Sequence, residues 1–467
     1  MYLPPIVLAA VDEHWESAVR FCIGALITFT LGVLFSSRRE PKGFHREEAL
    51  AVVALTWLFV GGCGAIPYVL YGLNVVDAFF ESISGYTTTG ATVLQDFSNY
   101  DRPFFLWRSM TQWFGGLGVI ALFIVVLPRL GIAGRQLFFA EASSLDSEGL
   151  TPQVRKGAQR LWVLYSGLTI ALASLLHVVA GFDWFESVTH SLTTMSAGGF
   201  SPNGSSIAGY ESASAEWILI LFMLLSGASY TLQYRVLAER NPRLLRDGEF
   251  VLYSGLIFVA GVVVAGILAE GLPTLETLRL ALFQTASLMS STGFASTDYN
   301  YWSDSARAML IVVMLVGGCA GSAAGGPKVV RLILVLKHVA REIRVTLHPR
   351  AVLAIRHKGV PVSRDIMRSV FTLVVLFMLG HFLLGTALVV LGADLVVGYS
   401  AALACLGNIG PGFDAVGPMG NFAGFDPLSK VLLTLAMWLG RLEIVTVLAL
   451  LHFDVLRGIR FRGKSQS

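Results

Sequence analysis

Apolar residues come in blocks of about 20 along most of this chain, long enough as helices to cross a hydrocarbon core of about 30 Å, and the polar positions between the blocks recur in a fixed order. Residues 18–35 form the first such block. The apolar piece Leu3–Val11 is too short to cross, since it is broken by Pro4 and Pro5 and followed by Asp12, Glu13 and His14. From Glu48 onward a unit repeats: an apolar span, a shorter semi-polar segment, a run of hydroxyl and glycine residues, and a second apolar span. In the first unit the two spans are residues 49–71 and 104–127, with the semi-polar segment Val75–Tyr86 between them. The later span pairs are 161–181 with 217–236, 250–270 with 306–336, and 366–391 with 428–451. The pattern predicts an all-α integral membrane protein with an N-terminal segment (1–47) and four repeats, 48–160, 161–249, 250–365 and 366–467.

The hydroxyl and glycine runs are Thr87-Thr88-Thr89-Gly90, Ser196-Ala197-Gly198-Gly199, Ser290-Ser291-Thr292-Gly293 and Gly407-Asn408-Ile409-Gly410. Aligned without gaps on Gly90, Gly199, Gly293 and Gly410, the segments bring Phe79, Val188, Leu282 and Tyr399 into register, and Ser82 with Ser191, Thr285 and Ala402. A single run of this kind reads as a surface turn. Four registered copies, each between membrane-length spans, read instead as loops that aim backbone carbonyls at a cation, for which glycine supplies the backbone angles that a Cβ resists.

With 54% hydrophobic and 14% charged residues and a mean hydropathy of +0.67, the chain has too little polar surface for a soluble globule of its length. Of its 34 Lys and Arg, 27 lie in five segments: four in 36–48, five in 129–160, four in 235–249, ten in 328–368 and four after His452. The intervening segments 72–103, 182–216, 271–305 and 392–430 hold 14 Asp and Glu and only Arg102, Arg279 and Lys430 as basic residues. By the positive-inside rule the first set is cytoplasmic and the second external. Each repeat then starts and ends inside, so its two long spans exhaust the crossings. The segment between them must enter and leave on the external side, at a depth where irregular backbone survives only beside protein or water. Four such segments around one axis line a pore, and the repeats are parallel in topology.

Other chemistry finds little support. Gly325-Gly326-Pro327-Lys328 lacks the uninterrupted Gly-Lys and the following Ser or Thr of a phosphate loop, and no histidine spacing suits a metal. His190 and His381 read as packing residues, and Cys22, Cys63, Cys319 and Cys405 as small apolar ones. No paired carboxylates or nucleophile set suggests an enzyme. The span 306–336 is longer than one crossing needs and is weakened by Gly317, Gly318, Gly321, Gly325, Gly326 and Pro327. Close packing through small residues is one account. The other is a flexible segment, Cys319 to Lys328, that occludes the pathway beneath the third filter run. Arg441, placed inside a span, needs either an acidic partner on another helix or the water of the pathway, where it would face that segment. Glu443 projects away from it around a helix.

The residues also match a known family. Asp77-Ala78-Phe79-Phe80-Glu81-Ser82 before the first run, Gln112-Trp113-Phe114-Gly115-Gly116-Leu117-Gly118, Leu127-Pro128-Arg129-Leu130-Gly131-Ile132, Gly317-Gly318-Cys319-Ala320-Gly321-Ser322, His348-Pro349-Arg350-Ala351-Val352 and Gly440-Arg441-Leu442-Glu443-Ile444 occur in order. In them the chain resembles the membrane subunit of Trk-type potassium uptake systems (TrkH), and more distantly KtrB, from about Ala18 to its end. The resemblance implies four pseudo-symmetric helix, pore-loop, helix units around one potassium pathway in the inner (cytoplasmic) membrane. It also implies a homodimer and a cytosolic nucleotide-binding regulatory subunit of the TrkA type. Potassium ions would be the transported substrate, with no organic cofactor and no nucleic-acid partner. The alternative is a symporter coupling potassium to protons or sodium. Two departures stand out: the helix expected before 18–35 is reduced to Leu3–Val11, and Pro327 precedes Lys328 where it changes the bend of the glycine-rich segment.

Overall fold

The computed structural model describes residues 1–36, 46–121, 152–240, 243–269, 271–272, 274–351 and 353–450. The basic segments at 37–45 and 122–151, the tail after residue 450 and the motif Leu127 to Ile132 lie outside these. Two helices, α1 (Leu3–Val11) and α2 (Trp15–Ser36), precede the repeats. The first repeat holds α3 (Arg46–Leu70), α4 (Val75–Tyr86) and α5 (Arg102–Ala121). The second holds α6 (Pro152–Val178), α7 (Trp184–Met195), α8 (Ala213–Ser226) and α9 (Tyr230–Glu239). The third holds α10 (Gly248–Leu268), α11 (Leu275–Met289), α12 (Asp304–Met314) and α13 (Val329–Leu347). A hairpin, β1 (Arg356–His357) with β2 (Val360–Pro361), leads to the fourth: α14 (Arg364–Val390), α15 (Leu395–Leu406), α16 (Pro427–Arg441) and α17 (Ile444–Leu450).

The second helix of each repeat, α4, α7, α11 or α15, is short, and its length has a geometric meaning. Twelve residues, as in α4, α7 and α15, rise about 18 Å, which reaches the middle of a hydrocarbon core and no further. Their starts are fixed by side-chain caps: Asn74, Asp183 and Thr274 each accept a hydrogen bond from the backbone three residues on. Four described helices, Trp15–Ser36, Gln159–Val178, Gly248–Leu268 and Arg364–Val390, are long and apolar enough to cross alone.

Packing runs opposite to that of a soluble protein. Leu221, Phe258, Val375 and Leu383 on the long helices are exposed, facing where lipid would be. Ser82, Ser84, Thr193, Thr194, Gln284 and Ser287 on the short ones are fully buried. Those hydroxyls stay satisfied by carbonyls: Thr193 and Thr194 donate back to their own helix, while Ser82 donates to Gly61 on α3 (2.6 Å). The three basic residues of the segments expected to be external are all neutralised across elements: Arg102 by Asp12 (3.3 Å), Arg279 by Glu216 (2.9 Å) and Lys430 by Asp77 (2.6 Å).

Two spans expected to be continuous are broken. The stretch 217–236 splits into α8 and α9, whose axes differ by 105°. The break leaves the carbonyls of Ser226 and Gly227 without helical donors, and these accept the backbone N–H groups of Ala323 (3.2 Å) and Cys319 (2.8 Å) from the third repeat. Similarly, 428–451 ends its first helix at Arg441, because Glu443 turns left-handed (φ 65°) and pairs with Arg331 on α13. The interruption expected within 306–336 is present between Met314 and Val329.

Candidate functional site

The four short helices end at Thr87, Ser196, Ser290 and Gly407, and the chain leaves each in the same way. Thr88, Ala197, Ser291 and Asn408 take a left-handed conformation (φ 52–56°), and two residues later Gly90, Gly199, Gly293 and Gly410 are again at positive φ (75–105°). The hydrogen bonds repeat too. The N–H groups of Thr89, Gly198, Thr292 and Ile409 bond to the carbonyls of Ser84, Thr193, Ser287 and Ala404, at 2.8–2.9 Å. Ser84 and Ser287 reach across to the carbonyls of Ala91 and Phe294, both at 2.6 Å. The register read from the sequence is therefore a structural register, down to single backbone atoms.

What joins the four runs is the space that each glycine leaves empty. A Cβ on Gly90 would stand 2.2 Å from the Gly198 carbonyl oxygen. One on Gly199 would stand 1.8 Å from that of Thr292, one on Gly293 2.2 Å from that of Ile409, and one on Gly410 2.8 Å from that of Thr89. Each contact is to the next loop in sequence and the last returns to the first, so the loops close a ring. Glycine is required here for a reason beyond backbone angle: the neighbouring loop occupies its side-chain position. All sixteen expected filter residues belong to this ring. Thr87, Thr88, Thr89, Ser196, Ala197, Ser290, Thr292 and Asn408 are completely buried.

The segment 315–328 packs directly against the ring. The Gly325 N–H donates to Ser291 Oγ (2.6 Å), and a Cβ on Gly325 would meet the Gly407 carbonyl oxygen at 2.2 Å. Among the described residues the segment is also tied to the α8–α9 break by three backbone bonds, the third from the Tyr230 N–H to the Gly321 carbonyl (3.1 Å), and to α10, where Glu249 Oε1 accepts the Ala320 N–H (2.7 Å). Arg441 was expected to find an acidic partner or open water. No acidic partner reaches it among the described residues; it faces the segment 315–328, where Nη1 donates to the Ala323 carbonyl (2.8 Å), while Nε and Nη2 have no hydrogen-bond partner among the described residues. Lys328, buried and at φ 79°, turns its ammonium back to the Ala324 carbonyl. Between this segment, Asn408 and Arg441 lies a cavity of about 30 Å³, room for about one water.

Sequence reasoning passed over the residues behind the ring. Glu81 and Arg108, both fully buried, form an ion pair (2.7 Å) whose carboxylate also accepts the Val93 N–H (3.0 Å). An arginine inside an apolar span and a glutamate inside a segment bound for the membrane interior were the available signal, since such charges persist there only as partners. Asp247 and Glu249 were passed over as well. Asp247 caps α10 and binds Lys358 of the hairpin turn (2.5 Å), so the hairpin connects through the start of α10 to Ala320. In that hairpin, burial and then Lys358 and Lys337 hold the His357 imidazole below its ordinary pKa. His190 is a packing residue, ringed by Phe182, Tyr210 and Phe294 and bonded to Ser201 Oγ at 3.1 Å. His381 lies beside Phe382 and Tyr399.

Residues 17–254 and 267–455 match the family TrkH, described as cation transport protein. The chain is 34% identical over 461 residues to the Trk system potassium uptake protein TrkH of Halomonas elongata, covering 96% of this chain and 94% of that one. It is 34% identical over 422 residues to the protein of the same name from Escherichia coli K12, covering 89% and 87%. The crystal structure of the potassium transporter TrkH from Vibrio parahaemolyticus superposes with a TM-score of 0.87 at 31% identity, over 97% of this chain and 95% of that one. With the helical, apolar-surfaced architecture and the agreement in both sequence and fold, the chain belongs to the TrkH family of membrane cation transport proteins.

Proposed function

We propose that this protein carries potassium ions inward across the cytoplasmic membrane through the ring formed by its four loops. The observation that carries the reading is the cyclic contact of Gly90, Gly199, Gly293 and Gly410 with the preceding carbonyl of the next loop. That arrangement concentrates backbone oxygens around one axis, where they can replace part of an ion's water shell. The four short helices also end at the ring, so the negative ends of their dipoles favour a cation there. Relatives named as potassium uptake proteins support potassium as the ion. The segment Gly317 to Lys328 serves as the gate, with Gly317, Gly318, Cys319, Gly321, Gly325 and Gly326 giving it freedom to move and Arg441 holding it through the Ala323 carbonyl. A cytosolic nucleotide-binding subunit of the TrkA type would control it from the basic face, on a homodimer. Expression in a bacterium lacking potassium uptake tests the function. Growth at low potassium and rubidium entry are expected; good membrane expression with neither overturns it.

A further inference from the structure

The ring has fourfold pseudo-symmetry, but what braces it from behind does not. Nine residues before the ring glycines stand Glu81, His190, Gln284 and Ala401, and the first three of these tie their own returning strand. Glu81 does so through Thr92 and Val93, His190 through Ser201 and Gln284 through Ser296. Among the described residues, only at the boundary between the first and second loops does a side chain on a long helix reach a ring carbonyl of the next repeat; the pairs Glu216–Arg279, Arg307–Asp414 and Lys430–Asp77 span the other boundaries without touching the ring runs. Arg108 and Gln112 lie one turn apart on α5, on one face. Arg108 holds Glu81 with one side of its guanidinium, while Nη1 donates to the Ser201 carbonyl (3.2 Å) and the plane lies 4.0 Å over the Phe200 ring. Gln112 Nε2 donates to the Gly198 carbonyl (2.7 Å), and its Oε1 accepts the Phe200 N–H (3.0 Å). Together the two side chains grip the second loop on both sides of Gly199. In the fourth repeat Gly440 packs on the Leu406 carbonyl as Gly115 packs on that of Tyr86, and the positions three and seven residues before Gly440 hold Met437 and Leu433 in place of Gln112 and Arg108, neither of which can make such bonds.

The Gly198 carbonyl is the one that faces Gly90 across the first boundary of the ring. Its direction is therefore set by an amide from outside the ring, whereas the matching carbonyls of Thr89, Thr292 and Ile409 receive no side-chain donor among the described contacts. We infer that Arg108 and Gln112 are positioning residues for ion preference: by fixing the second loop against the first, they set the spacing of carbonyls on that side of the ring and so its discrimination between potassium and sodium. The inference rests on the reading of the ring as the filter.

The test compares full-length variants in cells lacking potassium uptake, measuring potassium and sodium entry separately together with protein in the membrane. Gln112→Met keeps the bulk and loses both bonds. Arg108→Lys keeps a charge for Glu81 but loses the fork to Ser201 and the stack on Phe200. Each is expected to lower the potassium-to-sodium ratio about three- to tenfold, the span covered by one or two net hydrogen bonds, with total cation entry retained. Leu221→Met, on the exposed face of α8, is expected to leave the ratio unchanged. Gly90→Ser in the same assay separates the two readings. If it lowers the ratio while both α5 variants keep the parental value, the positioning role is wrong and the filter stands. If Gly90→Ser itself leaves the ratio unchanged, the filter reading fails and this inference with it. Loss of both α5 variants from the membrane would reduce the contacts to fold maintenance and also overturn the inference.

Discussion

At Gly90 and Gly293 the hydrogen in place of a side chain is all that fits between the backbone and the carbonyl of the adjoining loop. Gly181 shares the positive φ (77°) but has nothing near the position of its missing Cβ. The three glycines therefore separate backbone strain from crowding. Gly90→Ser and Gly293→Ser should lower potassium over sodium preference, while Gly181→Ser should leave it as it is, as measured by competition between the ions in uptake. Equal preference in all three would remove the filter assignment. These glycines were legible in the sequence because four copies share one spacing. Glu81, Arg108 and Gln112 stood in plain view, two of them within quoted family motifs, yet their role was not legible. The bonds from Arg108 and Gln112 to Glu81, Gly198 and Ser201 span 27 to 93 residues, and no local pattern encodes a pairing of that range.

Among the elements, the broken stretch between α12 and α13 carries the most consequence. A run of glycines with Pro327 announces that no helix will hold there, so the break was readable in advance. The bend between α8 and α9 was not, because 217–236 is apolar and contains Gly227 alone as a weak point. It becomes intelligible only once the third repeat is folded, when Cys319 and Ala323 take up the carbonyls that the bend sets free. The segment 315–328 is thus held by ties from all sides: α8–α9, Glu249, Ser291 and Arg441. Deleting residues 320–324 is expected to raise basal rubidium flux without changing ion preference, and Arg441→Ala to do so to a smaller extent. Variants that reach the membrane and conduct no better than the parent would place the gate elsewhere.

For the whole molecule, the charge pattern along the chain predicts a common face for the basic segments and the hairpin. The path from Lys358 through Asp247 and Glu249 to Ala320 gives that face a mechanical hold on the segment below the ring. A soluble nucleotide-binding protein is expected to co-purify at this face and to make flux nucleotide-dependent. Nucleotide-dependent flux by the purified chain alone would contradict that division of labour.

The ring is closed by its two most distant members. Asn408 Nδ2 reaches Thr89 Oγ1 from 319 residues further along the chain, and the Phe422 N–H binds the Thr92 carbonyl (2.8 Å). Synthesis at about 5–20 residues per second puts roughly 15–60 s between the emergence of the first loop and that of the last. During that time three loops can be in the membrane with one side of the ring missing, and the first loop waits with its outer edge unmatched. A ribosome that stalls before Gly410 leaves a chain that cannot complete the ring of loops. Building four unequal quarters into one polypeptide thereby ties closure of the ring to completed translation, a safeguard that a tetramer of separately made subunits obtains only through assembly.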